Sequence, residues 1–393
     1  MHALKLATLA TALLFAHHHC GAAETIAPPP DSSSQIPTPT DDASVPPSHP
    51  PTFSPTLTLI HSWLTHGYYT GASLLIVQDT HPLLDLRFGD HTDATVAFIA
   101  SSGKWLAAAT LMTLVDQGLL HLDAPASRVL PELGPTLGRA TLRQLLAHTS
   151  GYPAYQPDGR HRDDYQLLSE SVAQLDPLAP LAEPGRRWVY GGLAMQAAGR
   201  MAEVVTGEPW EALFQRLIAA PLGMTETRFT PVDGGIGHSP MLGGGARSSV
   251  RDYARFLAML LAGGVAADGR RVLSPAAVAE LQADQVGAAE VPADNFVWQV
   301  RGKTHQGIYG LGEWREVVEG GRALVVSSPS WAGTYPWIDH RHHLFGFFLA
   351  HVSGEAAGRD RFNPMVESAR LVELVAGAVG GVGGEGGGGE AQK

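Results

Sequence analysis

The order of its periodic segments is what most constrains how this chain can fold. Apolar runs of strand length stand at both ends of the body, and helical spacing fills the middle. Residues 57–66 read as a helix, 73–77 as a buried strand, and 82–88 as its hairpin partner across Asp79-Thr80-His81. Residues 101–118 read as a long helix ending at a glycine. Helices are expected at 142–148, 193–206, 209–219, 250–261 and 275–283. Strand character returns at 309–316, 322–327, 334–339 and 344–351, before a last helix at 362–375. Such an order implies an α/β fold of the α+β type. One antiparallel sheet would be closed by both chain ends, with flanking helices and an inserted helical subdomain.

Outside this body, residues 58–376, the composition changes. Residues 1–23 carry Lys5, an apolar stretch at 6–16 and then Gly21-Ala22-Ala23, the pattern of a cleaved export signal. The expected location is therefore periplasmic or secreted. Cys20 could instead carry a lipid, although His17, His18 and His19 stand where small residues would be expected. Residues 24–57 hold ten prolines among Ser, Thr and Asp, a linker that cannot pack a core. Residues 377–393 hold nine glycines and read as a disordered tail.

Charge and cysteine usage remove several functions. The net charge of −11, from 27 basic and 38 acidic residues, disfavours a phosphate backbone as partner. No apolar run reaches the roughly 18 residues of a spanning helix. Cys20 is the only cysteine, which excludes internal disulfides, cysteine zinc sites and a thiol nucleophile in the body. His340, His342 and His343 sit in an expected hairpin turn and read as a solvated face rather than a metal site. No H-E-x-x-H or G-x-S-x-G motif occurs, and Gly243-Gly244-Gly245 lacks the Lys-Ser/Thr of a phosphate loop. No metal or organic cofactor is expected.

Lysine usage is more telling. Only Lys5, Lys104, Lys303 and Lys393 occur, so arginine supplies the rest of the 27 basic residues. Unlike arginine, lysine can lose its proton. Lys104 follows Ser101 by three residues, which places the two on one helical face. Ala108, Leu111 and Val115 continue that face, so the amine would border the core, where burial lowers its pKa. Such an amine can take the serine proton, and the helix N-terminus can stabilise an oxyanion. An ordinary Ser cap followed by a solvated lysine would share the same spacing.

The surrounding sequence resembles the serine β-lactamase-like superfamily, in the branch of class C β-lactamases, D-alanyl-D-alanine carboxypeptidases and related carboxylesterases. The resemblance is carried by residues 98–123, Ala140-Thr141-Leu142-Arg143-Gln144-Leu145-Leu146-Ala147-His148-Thr149-Ser150-Gly151, Pro184-Gly185 before Tyr190, Pro221-Leu222-Gly223-Met224, and Gly243-Gly244 with Asp252 and Phe256. The resemblance implies Ser101 as the acylated nucleophile, Lys104 as its base partner and Tyr190 as a proton shuttle. His148, in the H-T-S-G turn, is expected to hold backbone. Gly192 replaces the asparagine of the family's Y-x-N motif, which argues against amide and lactam substrates.

The third motif is also altered. Lys303-Thr304-His305 imitates K-T-G but comes too early, so Lys303 reads as surface. Spacing back from Trp337-Ile338-Asp339 places the motif at Ser328-Pro329-Ser330, with the Trp331 N–H completing the oxyanion hole. A second register uses Trp331-Ala332-Gly333 as the W-x-G of some family esterases. Neither register supplies a cation for a substrate carboxylate, which points to small neutral esters. The expectation is thus an exported serine hydrolase, a carboxylesterase, acting on a small-molecule ester or amide. The alternatives are a β-lactamase or D-alanyl-D-alanine carboxypeptidase, and a non-catalytic peptidoglycan- or protein-binding relative. Loops at 153–164 and 290–305 would set the specificity, and the oligomeric state is open.

Overall fold

A computed structural model describes residues 51–154, 167–175, 178–229, 240–293 and 307–380. Its main sheet has six strands in the order β2-β1-β9-β8-β7-β6, with every neighbouring pair antiparallel. The strands are β1 (Tyr69–Gln78), β2 (His81–Gly89), β6 (Trp314–Glu319), β7 (Arg322–Ser327), β8 (Tyr335–Asp339) and β9 (Leu344–Val352). Early strand β1 pairs with late strand β9, with Leu74 opposite Phe348 and Leu75 opposite Phe347.

Both faces of this sheet are covered, so its strands read as continuous apolar runs rather than alternating ones. Leu74, Ile76, Val325, Trp337 and Phe348 point to one face, against helix α1 (Ser54–Thr65) and the terminal helix Ala369–Gly380. Leu75, Val326, Ile338, Phe347 and Leu349 point to the other, against the helical block. Its centre is α2 (Gly103–Asp116), buried along nearly its whole length from Gly103 to Leu114. Around it lie α3 (Leu142–Leu146), α4 (Leu168–Ala173), α5 (Leu193–Thr206), α6 (Trp210–Phe214), α7 (Ala220–Leu222), α8 (Val250–Leu261) and α9 (Pro275–Gln282).

Several boundaries differ from the expected ones for local reasons. Helix α1 opens at Ser54, inside the segment expected to be linker, with Pro55 in its first turn, a position that needs no N–H donor. Helix also covers the first residues of the segment expected to be tail. The terminal helix runs to Gly380, and Ala378 and Val379 pack against the core. The expected strand at 309–316 is a tight turn followed by β6: Gly310 N–H donates to the Glu313 carbonyl, and Gly312 has a φ of +76°. A second sheet, β3 (Val96–Phe98), β5 (Ala246–Ser249) and β4 (Arg228–Phe229), was absent from the expectation. Strands this short carry almost no periodic signal. The three histidines 340, 342 and 343 lie in the β8–β9 turn, where Asp339 accepts from Arg341 and His342. Lys303 lies outside the described residues.

Gly346 shows how tightly the covered sheet is packed. A Cβ there would lie 2.1 Å from the ring of Trp337, its cross-strand partner. Gly346→Val is expected to destabilise the fold by at least about 2 kcal/mol, read as a fall in the urea midpoint. An unchanged midpoint would mean that the indole does not need that space.

Candidate active site

Strand β3 leads directly into the 3₁₀ turn Ala100–Ser102, which runs on into α2. Ala100 sits at a φ of +45°, a left-handed conformation costly for any residue with a Cβ. The turn is held by its surroundings. Ser102 Oγ donates to the Ser328 carbonyl at 2.6 Å and lies 2.9 Å from Thr334 Oγ1. Thr334 Oγ1 donates to the Ile99 carbonyl at 2.9 Å, and the Tyr253 hydroxyl donates to the Ser102 carbonyl at 2.7 Å. The loop between β7 and β8 is therefore fastened beneath the turn by buried hydroxyls on both sides.

One helical turn on, the Lys104 side chain folds back under Ser101. Its Nζ lies 3.1 Å from Ser101 Oγ, donates a short bond to the Gly243 carbonyl, and stands 4.6 Å from the centre of the Tyr190 ring. Lys104 is 1% exposed and Ser101 6%. Burial lowers the Lys104 pKa to about 7, and no carboxylate among the described residues offsets that loss of solvation. An amine near its pKa at neutral pH can be unprotonated. It then accepts the Ser101 proton through its lone pair while an N–H stays on Gly243.

The predicted residues are placed as follows. Ser101, Lys104 and Tyr190 come together. Gly192 opens α5, its N–H on the Ala154 carbonyl at 2.9 Å. Ser328 and Ser330 are buried: the Ser328 hydroxyl donates to the Ser101 and Gly312 carbonyls, and Ser330 Oγ lies 2.7 Å from Thr334 Oγ1. Both hydroxyls thus hold the loop. Trp331 is 55% exposed, its ring 6.1 Å from that of Phe98. The His148 carbonyl accepts from Val189 N–H at 2.8 Å, which fixes the chain just before Tyr190, and its ring packs 4.6 Å from the Tyr190 ring. Burial first, and then the charge of Lys104, hold the His148 imidazole well below its usual pKa.

Gly243 is the residue that sequence reasoning missed. A Cβ there would come within 2.7 Å of the Gly192 Cα, so glycine is needed for the two backbones to meet. The Gly192 departure and the Gly243 carbonyl are thus one feature. The loop meets the backbone of Gly192 and offers Lys104 a backbone oxygen. The paired glycines were visible in the sequence, but a backbone acceptor leaves no signature in residue type.

The family model for Beta-lactamase matches residues 61–367. The chain belongs to the beta-lactamase family. The candidate beta-lactamase solved from Bacteroides dorei DSM 17855 superimposes with a TM-score of 0.80 at 45% identity, covering 84% of this chain and 99% of that one. Esterase EstB of Burkholderia gladioli is 34% identical over 35% of this chain and 40% of its own length. The D-alanyl-D-alanine-carboxypeptidase/endopeptidase AmpH of Escherichia coli K12 is 33% identical over 44% of this chain and 50% of its own. This family member thus matches half or less of the length of those two curated relatives. Among its described residues, no helix is long and apolar enough to cross a membrane.

A buried lysine is a liability to folding that the site retains. The unfolded chain keeps an ordinary lysine of pKa 10.5, whereas the folded chain holds it at about 7, a difference of about 4 kcal/mol at pH 7. Because the folded pKa is the lower one, wild-type stability rises as pH climbs from about 7 towards 10.5. Lys104→Met should therefore unfold at a higher temperature than wild type at pH 7, with the gap narrowing by pH 10. Equal or lower stability at pH 7 would show that the amine is not desolvated.

Proposed function

We propose that the protein is a serine hydrolase that acts through an acyl-enzyme on Ser101, with carboxyl esters as its substrates. The observation that carries this reading is a buried amine at 3.1 Å from a buried serine hydroxyl, in a setting where burial lowers the amine's pKa. In the proposed cycle, neutral Lys104 takes the Ser101 proton as Oγ bonds to the ester carbonyl carbon. The N–H groups of Ser101 and Trp331 are assigned the stabilisation of the resulting oxyanion. When the tetrahedral intermediate collapses, the C–O bond to the leaving alcohol breaks, and Lys104 returns the proton to that oxygen through Tyr190. Water then repeats the steps in reverse, releasing the acid and restoring Ser101.

Esters are favoured over lactams and D-alanyl peptides for two reasons. Gly192 has no side chain to hold a substrate amide, and the loop 328–333 carries no Lys, Arg or His for a carboxylate. The relatives named esterase and carboxypeptidase bracket these choices. A purely binding relative would have no reason to retain a desolvated lysine against the serine. We further propose that residues 1–23 direct export and that the proline-rich segment after them is a linker.

Hydrolysis of a short-chain nitrophenyl ester tests the reading. Ser101→Ala should lower kcat by about a thousandfold or more, and Tyr190→Phe by about a hundredfold. Nitrocefin should be cleaved more slowly than the ester. Equal ester hydrolysis by wild type and Ser101→Ala, or none by either, would remove the hydrolase reading.

The same amine predicts a pH profile. Since its unprotonated form is the active one, kcat/KM for the ester should rise with pH through about 7 and level off above it. A profile flat from pH 5 to 9 would exclude Lys104 as the base.

A further inference from the structure

Gly192, which caps α5, and Gln196 and Gly199 within it follow the spacing of one helical face. The segment 240–243 lies along that face and meets it at all three positions. At Gly192 the two backbones touch, since a Cβ on Gly243 would come within 2.7 Å of the Gly192 Cα. At Gln196 the side-chain amide bonds backbone on two sides. Its Oε1 accepts from the Leu242 N–H at 2.9 Å, and its Nε2 donates to the Pro240 carbonyl at 3.3 Å. At Gly199 the missing side chain leaves room for Leu242, whose Cδ2 would stand 2.3 Å from a Cβ there.

The segment then turns towards the site. The N–H groups of Gly244 and Gly245 both donate to the Met241 carbonyl, and between them the Gly243 carbonyl accepts from Lys104 Nζ. The chain runs on into β5, where the Ala246 carbonyl accepts from the Ile99 N–H at 2.9 Å, just before the nucleophile turn. Gln196 itself is fully buried. An apolar side chain of that size would fill the same space without the cost of desolvating an amide, so packing alone does not account for a glutamine here. Its two bonds fix residues 240 and 242, and the carbonyl that holds Lys104 belongs to the next residue.

We infer that Gln196 is a positioning residue: its amide fixes the turn 240–243 on α5, and the turn aims the Gly243 carbonyl that holds Lys104 against Ser101. The inference rests on the proposed ester hydrolysis and adds to it a residue that touches no reacting atom. The arrangement also fixes a sign. A carbonyl accepts more strongly from an ammonium than from an amine, so a well-aimed Gly243 favours the charged form of Lys104 and a displaced one does not. The other titratable groups around the amine come from three elements. Tyr190 stands before α5, and His148, in the turn after α3, is held below its usual pKa by burial and by the Lys104 charge. Glu313 follows Gly312, where the turn before β6 meets the Lys104 carbonyl, and burial pushes its carboxyl well above the usual range.

Nuclear magnetic resonance of full-length protein labelled at lysine Cε reads the amine directly, because only Lys5, Lys104, Lys303 and Lys393 carry the label. The Lys104 signal is the one missing from Lys104→Met. In Gln196→Met, which keeps the length and loses both bonds, Lys104 should titrate lower than in wild type by about half a unit or more. The kcat for a nitrophenyl ester should fall about tenfold or more, with KM within about twofold. Gln196→Asn, one methylene too short to reach both backbone groups, should move both readouts the same way by less, and it carries the test if the Met variant does not fold. Melting temperatures measured alongside give the folded fraction. A Lys104 titration in folded variant protein that stays at the wild-type value or moves upward would overturn the inference, as would a kcat loss that only tracks the folded fraction. If wild type hydrolyses no ester while the titration still shifts, the hydrolase reading falls and the positioning of Lys104 by Gln196 stands. Ser101-dependent hydrolysis with an unmoved titration does the reverse.

Discussion

Everything distinctive about the site follows from keeping one amine out of water. Lys104 lies on a helix buried on all sides, between a sheet covered on both faces and a ring of helices. In that setting an ammonium ion has no solvent to lean on, and its pKa falls to about 7. Among the described residues no paired carboxylate restores the charge. The fold therefore accepts a cost in stability, and in exchange Ser101 has a base at hydrogen-bonding distance. A solvated lysine at the same spacing would stay protonated and could not serve.

Holding such an amine still requires partners that do not compete for its lone pair. The Gly243 carbonyl meets that requirement, because it can only accept. The Tyr190 ring on another side presents its face. With these directions occupied, the remaining one points to Ser101 Oγ. The strained φ of Ala100 fixes the other half of the pair, since it sets where the Ser101 side chain leaves the turn. Ser102, Thr334 and Tyr253 hold that turn through backbone carbonyls, so both halves of the pair are positioned by buried polar contacts rather than by exposed ion pairs.

Much of this was legible in the sequence, and the illegible remainder has physical causes. Helices α5 and α8 fall on their expected limits because their apolar spacing is regular and their ends are marked by Gly207 and by the Ser249 cap. Lys104 was conspicuous because the chain otherwise uses arginine. The small sheet was not legible, since two to four residues cannot show a period. The turn before β6 was hidden inside an apolar run, although Gly310 and Gly312 were its signal. Motif spacing located the loop of Ser328 and Ser330 but not the direction of its hydroxyls. The structure turns both inward. Gly243 acts through its backbone, which residue identity cannot report.

The small sheet matters beyond its size, because it seats the nucleophile. β3 runs into the nucleophile turn, and β5 is paired to it with Phe98 opposite Arg247. β5 continues directly into α8, whose Tyr253 hydroxyl donates to the Ser102 carbonyl at 2.7 Å. Phe98, Ala100 and Ala332 pack together, so the turn and the loop after β7 rest on one small cluster. The serine is thus positioned from the small sheet and the lysine from the buried helix α2, and the two meet where the turn becomes helix.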